Sequence, residues 1–156
     1  MIFGYLELTL LVNGDSLKPM NPEGLIFTVP FDEADGEGIV FFGNYFRLAH
    51  RALEQYLPQI GIPWVEWFKN PEWGVPLCHA EADYKKPLKP GDRFEARIQV
   101  TEIGESSVHF AYEFLALDGQ PLAFLKTSHV FVTRQGMKKA AVPTQVRARL
   151  EAQLKK

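Results

Sequence analysis

Apolar side chains recur at three- and four-residue spacing from Phe42 through Tyr45, Phe46, Leu48, Ala49, Ala52, Leu53, Tyr56 and Leu57, until Pro58 and Gly61 break the pattern. Such spacing predicts one long buried helix. Its apolar stripe is wide enough to need a large partner surface, such as a sheet that curves around it. Elsewhere the period falls to two. Residues 93–100 alternate strictly, with Phe94, Ala96, Ile98 and Val100 against Arg93, Glu95, Arg97 and Gln99, which predicts a strand with one covered and one wet face. Gly104 and Glu105 mark a hairpin tip before Val108, Phe110, Tyr112 and Phe114, and Asp118-Gly119 marks a tight turn into a strand over 122–132. A strand over 75–84 precedes a Lys-Pro-Gly-Asp turn at 89–92. Residues 24–31, β-branched or aromatic in the main, form a first strand that Pro30 ends or places at an edge.

Between the long helix and the later strands, Pro63, Pro71 and Gly74 break any long element, so residues 61–74 read as a loop with one helical turn. Val146, Leu150 and Leu154 follow Pro143 at four-residue spacing and predict a terminal amphipathic helix. The order of elements is strand, long helix, four strands, helix, with the sheet mostly an antiparallel meander. That is an α+β class. Residues 1–23 contain a strand-like run at 5–12 and read as an N-terminal extension of unknown role, ahead of a single domain over 24–156.

With 156 residues and no composition shift, the chain has room for one sizeable core. A formal charge of −2, from 17 basic and 19 acidic residues, supplies no global attraction to nucleic acid or anionic lipid. The N-terminal apolar run lacks a basic flank and carries Glu7, so it does not read as a signal peptide. No run approaches the roughly 18 apolar residues of a membrane span. Cys78 is the single cysteine, which excludes an internal disulfide and suits a reducing compartment, so cytoplasm is the expected location. Without acidic or cysteine partners at ligand spacing, His50 and His109 read as structural, and neither metal nor cofactor is expected.

The candidate chemistry lies where the first strand runs into the helix. Asp32, Glu33, Asp35 and Glu37 put four carboxylates into six positions directly ahead of a helix mouth. Free backbone N–H groups and the helix dipole favour developing negative charge there, and a carboxylate beside them can attack or deprotonate. Hydrolysis of an activated acyl compound needs those two devices. A solvated acidic loop capping the helix is the plainer alternative.

The run Phe31-Asp-Glu-Ala-Asp35-Gly-Glu-Gly38-Ile-Val-Phe-Phe42-Gly-Asn-Tyr45 resembles the loop-plus-helix motif of the 4-hydroxybenzoyl-CoA thioesterase family, and the likeness runs from about 25 to about 133. A second patch, Val75-Pro-Leu-Cys-His79-Ala-Glu-Ala-Asp-Tyr84 followed by Pro90-Gly91-Asp92, is similar to the matching strand and turn of the 1,4-dihydroxy-2-naphthoyl-CoA hydrolases within it. The resemblance implies a hotdog fold, an antiparallel sheet wrapped around one central helix. It implies an acyl-CoA thioesterase, with an aromatic acyl group as first expectation. Asp35 matches the catalytic carboxylate and Phe42 the residue whose backbone N–H serves the oxyanion. Gly38 and His79 are placed at the substrate, although a hydrogen-bonded histidine at a subunit contact is equally open for His79. Active sites between subunits imply a homodimer or homotetramer. Glu37 departs from the small residue many members carry, and residues 104–107 lack the basic side chains that some members set against the nucleotide of CoA.

Several readings stay open at this point. Asp35 serves either as nucleophile or as general base. Trp64, Trp67 and Trp73 wall an acyl pocket or simply cover the core. Lys85, Lys86, Lys89, Lys138 and Lys139 meet CoA phosphates or are ordinary solvated lysines. Cys78 and His79 form no dyad, because consecutive strand residues point to opposite faces. The alternatives of function are an aliphatic acyl-CoA or acyl-carrier-protein thioesterase and a non-catalytic acyl-binding module.

Overall fold

Tyr45, Leu48, Ala49, Ala52, Leu53, Tyr56 and Leu57 form the buried stripe of α1 (Asn44–Gln59), as the three- and four-residue spacing predicts. The computed structural model describes residues 24–154, so the strand-like run at 5–12 lies outside the described residues. The helix starts two residues later than the apolar pattern, because Phe41 and Phe42 belong to a turn ahead of it. It also carries Pro58 inside its last turn, where the missing N–H costs only one terminal hydrogen bond.

α1 lies against a five-stranded sheet built from β1 (Leu25–Thr28), β3 (Leu77–Tyr84), β4 (Arg93–Ile103), β5 (Ser107–Ala116) and β6 (Pro121–Val130). The strand order is β1-β4-β5-β6-β3, and every neighbouring pair is antiparallel. Alternation decides the faces. Phe94, Ala96 and Val100 of β4, Val108, Phe110, Tyr112 and Phe114 of β5, and Leu125 of β6 turn inward and are almost completely buried. Alanines at 49 and 52 let the helix approach that aromatic surface closely, and burying each larger side chain stabilises by roughly 1.5–3 kcal/mol. β3 breaks the alternation once. Leu77 pairs with His129 while His79 pairs with Ser128, so Cys78 is the extra residue of a bulge. From there on Ala80, Ala82 and Tyr84 face α1, and His79, Glu81 and Asp83 face away.

The stretch 61–74 holds more order than the sequence predicts. α2 (Trp64–Lys69) is followed by β2 (Trp73–Gly74), which pairs with β7 (Val132–Thr133) in a two-stranded ribbon. Trp67 and Trp73 are core residues, edge-on or tilted against Phe131, whereas Trp64 is exposed and lies tilted against Phe68. The predicted terminal helix is α3 (Thr144–Glu151), with Val146 and Leu150 buried. No helix among the described residues is long and apolar enough to cross a membrane.

Three side chains with polar groups meet inside the sheet's covered face. Tyr112 Oη and Thr127 Oγ1 are 3.2 Å apart, and His129 Nε2 lies 3.1 Å from the same Oγ1. Burial pushes the His129 imidazole down to about 4, against a weaker opposing contact with the Val75 backbone. The unfolded chain, with a value near 6.5, therefore binds the proton more readily. Stability from this site is complete above 6.5 and is lost as pH falls through the window from 6.5 to about 4. The linked loss amounts to about 3 kcal/mol at the bottom of that window. His129→Gln should accordingly flatten the fall in melting temperature between pH 7 and pH 4.5 relative to the wild type, as read by calorimetry; parallel curves would contradict a neutral buried imidazole.

Candidate active site

Residues 29–43 connect β1 to α1, and hydrogen bonds within their own backbone shape the acidic corner. After a single 3₁₀ turn (Phe31–Glu33), Ala34 bridges Val40, the Asp35 N–H donates to Ile39 O at 2.8 Å, and the Gly38 N–H returns to Asp35 O at 3.0 Å. Gly38 closes this tight turn at φ +77°, a region that side chains with a Cβ resist. The Val40 N–H donates to Leu88 O, which ties the loop to the segment after β3. Asp35 is half-buried at the loop's first corner. Its Oδ1 accepts the Glu37 N–H at 2.8 Å, the local turn that aspartates favour. Its other carboxylate oxygen takes no hydrogen bond among the described residues, so one oxygen is anchored and one is available.

The mouth of α1 stands beside it. The Phe41 N–H is used by Glu33 O and the Asn44 N–H by Phe41 O, whereas the amides of Phe42 and Gly43 have no acceptor among the described residues. No side chain among the described residues caps this helix, so none of the four acids serves as the cap that a solvated acidic loop would provide. Asp35, Val40, Phe42, Tyr45, Tyr84 and Lys86 line one cleft of about 440 Å³. Tyr84 donates its hydroxyl to Phe42 O at 2.9 Å and sets its ring against the edge of Tyr45. The Tyr45 hydroxyl accepts the Leu88 N–H at 3.2 Å. Burial raises both phenols above their ordinary value, with the Leu88 N–H opposing the rise at Tyr45. Neither phenol is a base near neutral pH. They shape the cleft and fix the Phe42 peptide.

The fold thus brings Asp35 and Phe42 to one cleft, with Gly38 at the tip of the same loop as a turn residue outside the lining. His79 does not join them within the chain. It lies beyond the bulge on the face away from α1, where Nε2 meets Glu81 Oε2 at 3.2 Å and Glu81 in turn accepts Lys126 Nζ at 2.8 Å. That pairing, with Lys126 first, lowers the Glu81 carboxyl below its ordinary value. Trp67 and Trp73 belong to the core rather than to this cleft. Lys85 and Lys86 reach the rim, but Lys86 donates to Gln120 Oε1 and the Lys85 ammonium sits 6.0 Å from the Phe124 ring centre. Cys78 donates to Ser128 O, whereas the His79 ring bonds Glu81. Two contributors escape a reading of the sequence: Tyr84, which the bulge turns inward, and Glu33, which is fully buried although its neighbour Asp32 is exposed.

The model of the thioesterase-like superfamily matches residues 29–150, from the end of the first strand to the last helix. The chain belongs to that superfamily. It is similar to the 1,4-dihydroxy-2-naphthoyl-CoA hydrolase of Thermosynechococcus vestitus, at 29% identity over 125 residues that cover 80% of this chain and 86% of the relative. Among solved structures it resembles a 1,4-dihydroxy-2-naphthoyl-CoA thioesterase from Synechocystis, with a TM-score of 0.75 at 25% identity, covering 82% of this chain and 94% of that one. A gentisyl-coenzyme A thioesterase superposes with a TM-score of 0.73 at 25% identity, covering 82% and 99%. The hotdog architecture expected from the motif is the architecture observed.

Because Gly38 adopts a positive φ with open space around it, its substitution tests conformation rather than crowding. Gly38→Ala should lower stability by about 1–2 kcal/mol and Gly38→Asn by less, as measured by urea denaturation. Equal losses for the two would show that φ is not what selects glycine here.

Proposed function

We propose that this protein is an acyl-CoA thioesterase that cleaves an aromatic acyl-CoA to the free acid and CoA. The observation that carries the proposal is that Asp35 and Phe42, whose second carboxylate oxygen and whose amide have no partner among the described residues, line one cleft in a superfamily with relatives named as hydrolases of aromatic CoA esters. The thioester carbonyl oxygen leans on the Phe42 N–H, which stabilises the negative charge that forms as the carbonyl carbon becomes tetrahedral. The Asp35 oxygen then acts in one of two ways: it attacks the carbon, expels the CoA thiolate and leaves an anhydride for water to cleave, or it takes a proton from the attacking water. Both routes use the same atom. Ile39, Val40, Phe42, Tyr45 and Tyr84 give the cleft an apolar, partly aromatic wall suited to a flat ring.

The working form is a homodimer or homotetramer. Among the described residues β3 pairs with β6 alone, so one side of this eight-residue strand meets no described strand, and a second copy can continue the sheet there. That contact would place His79, on β3, beside the neighbouring protomer, in keeping with its second sequence reading. The free, exposed thiol of Cys78 suits the cytoplasm. The closer assignment, to the 4-hydroxybenzoyl-CoA thioesterase family, rests on the motif from Phe31 to Tyr45.

Asp35→Asn should lower kcat on the order of a hundredfold or more toward benzoyl-CoA while leaving KM nearly unchanged, because the lost group acts on the transition state. Steady-state hydrolysis of a panel of aromatic and aliphatic CoA esters reads both the mechanism and the acyl preference. Full activity in the variant would exclude Asp35 as the reacting carboxylate, and a higher kcat/KM for long aliphatic esters would replace the aromatic substrate. Native mass spectrometry of the whole chain should show a dimer or tetramer.

A further inference from the structure

Of the four loop carboxylates, only Glu33 is sealed from solvent. Arg47 and Arg51, one turn apart on α1 and both partly exposed, converge on it: Oε2 lies 3.5 Å from Arg47 Nη1 and Oε1 3.2 Å from Arg51 Nη2. Neither oxygen accepts a well-aligned hydrogen bond, so charge alone holds the group. A buried ion pair of that kind is a poor way to gain net stability, since desolvation offsets most of the attraction. Its effect on geometry is larger. The main-chain carbonyl of the same residue accepts the Phe41 N–H at 3.0 Å and the Asn44 side-chain amide at 3.0 Å. One residue therefore grips α1 with its side chain and the mouth of α1 with its backbone.

The positions of these ties are specific. Asp35 lies two residues after Glu33, and Phe42 directly follows Phe41, whose amide Glu33 holds. By occupying the Phe41 N–H, Glu33 fixes the Val40–Phe41 peptide, directly ahead of the peptide that carries the Phe42 N–H. We infer that Glu33 is a positioning residue for the proposed thioester hydrolysis: a buried carboxylate, clamped by Arg47 and Arg51, that sets the Asp35 loop and the Phe42 amide in register across the cleft. The inference rests on the thioesterase reading. Charge is essential to the clamp, because a neutral isostere keeps the volume but no longer draws in both guanidinium groups.

The test uses the full chain with benzoyl-CoA as substrate and two readouts, steady-state kinetics and backbone hydrogen exchange by mass spectrometry. Glu33→Gln should lower kcat on the order of tenfold to a hundredfold, as a misplacement of about 1 Å does, with KM held within about twofold. Exchange should quicken over residues 34–42 and stay unchanged in β5. Arg51→Met alters the partly exposed end of the clamp, which guards against a variant that fails to fold. It should lower kcat less, and the double variant should be no slower than Glu33→Gln alone, because Glu33→Gln already releases the pair with Arg51.

Unchanged kcat in Glu33→Gln overturns the inference, whether or not loop exchange quickens. So does a loss of kcat accompanied by faster exchange throughout the chain, or additive effects in the double variant. If the wild type hydrolyses none of the CoA esters, the thioesterase reading fails by itself. Loop exchange in Glu33→Gln then judges the clamp alone, and an unresponsive loop overturns it.

Discussion

The seating of the first turn of α1 in the sheet's aromatic face decides where every other group stands. The Tyr45 ring lies edge-on to Tyr84 of β3 and stacked near Phe114 of β5, while its hydroxyl receives the Leu88 amide. One buried side chain thus ties the start of the helix to two strands and to the segment that follows β3. With the helix axis and end fixed in this way, Phe42 comes to line the cleft beside β3. The remaining stripe, from Leu48 to Leu57, supplies the bulk of the burial that makes this placement stable.

Different interactions carry stability and geometry. Apolar burial in the α1–sheet layer far exceeds what the loop's backbone hydrogen bonds return, at about 1 kcal/mol each after exchange with water. Exposed pairs such as Arg147–Glu151 and His50–Glu54 are worth less still. Yet the loop's bonds are directional, and they determine that Asp35 has one oxygen occupied and one free. The core makes the site possible, and a handful of weak, oriented contacts makes it specific.

Strong periodicity explains what could be read in advance. The stripe of α1 and the alternation of β4 and β5 are long enough for the pattern to overrule local noise, and a compact motif from Phe31 to Tyr45 places Asp35 and Phe42. What escaped was set by partners distant in sequence. β2 and β7 are two residues each and exist only because Trp73 and Thr133 meet across the fold. Glu33 looks like its acidic neighbours until Arg47 and Arg51 fold over it. The tryptophans supply large apolar area wherever they lie, so composition alone does not separate a pocket wall from a core.

The bulge at Cys78 has a consequence for how the cleft is walled. A strand has only two phases, and one supernumerary residue near its start exchanges them for everything downstream. With the spare residue, Tyr84 bonds the helix mouth and His79 looks outward; with strict pairing from Leu77 onward, odd-numbered positions would turn toward α1 and Tyr84 would turn away. The pairing register at one position therefore decides which side chains wall the cleft, although that position lies outside its lining.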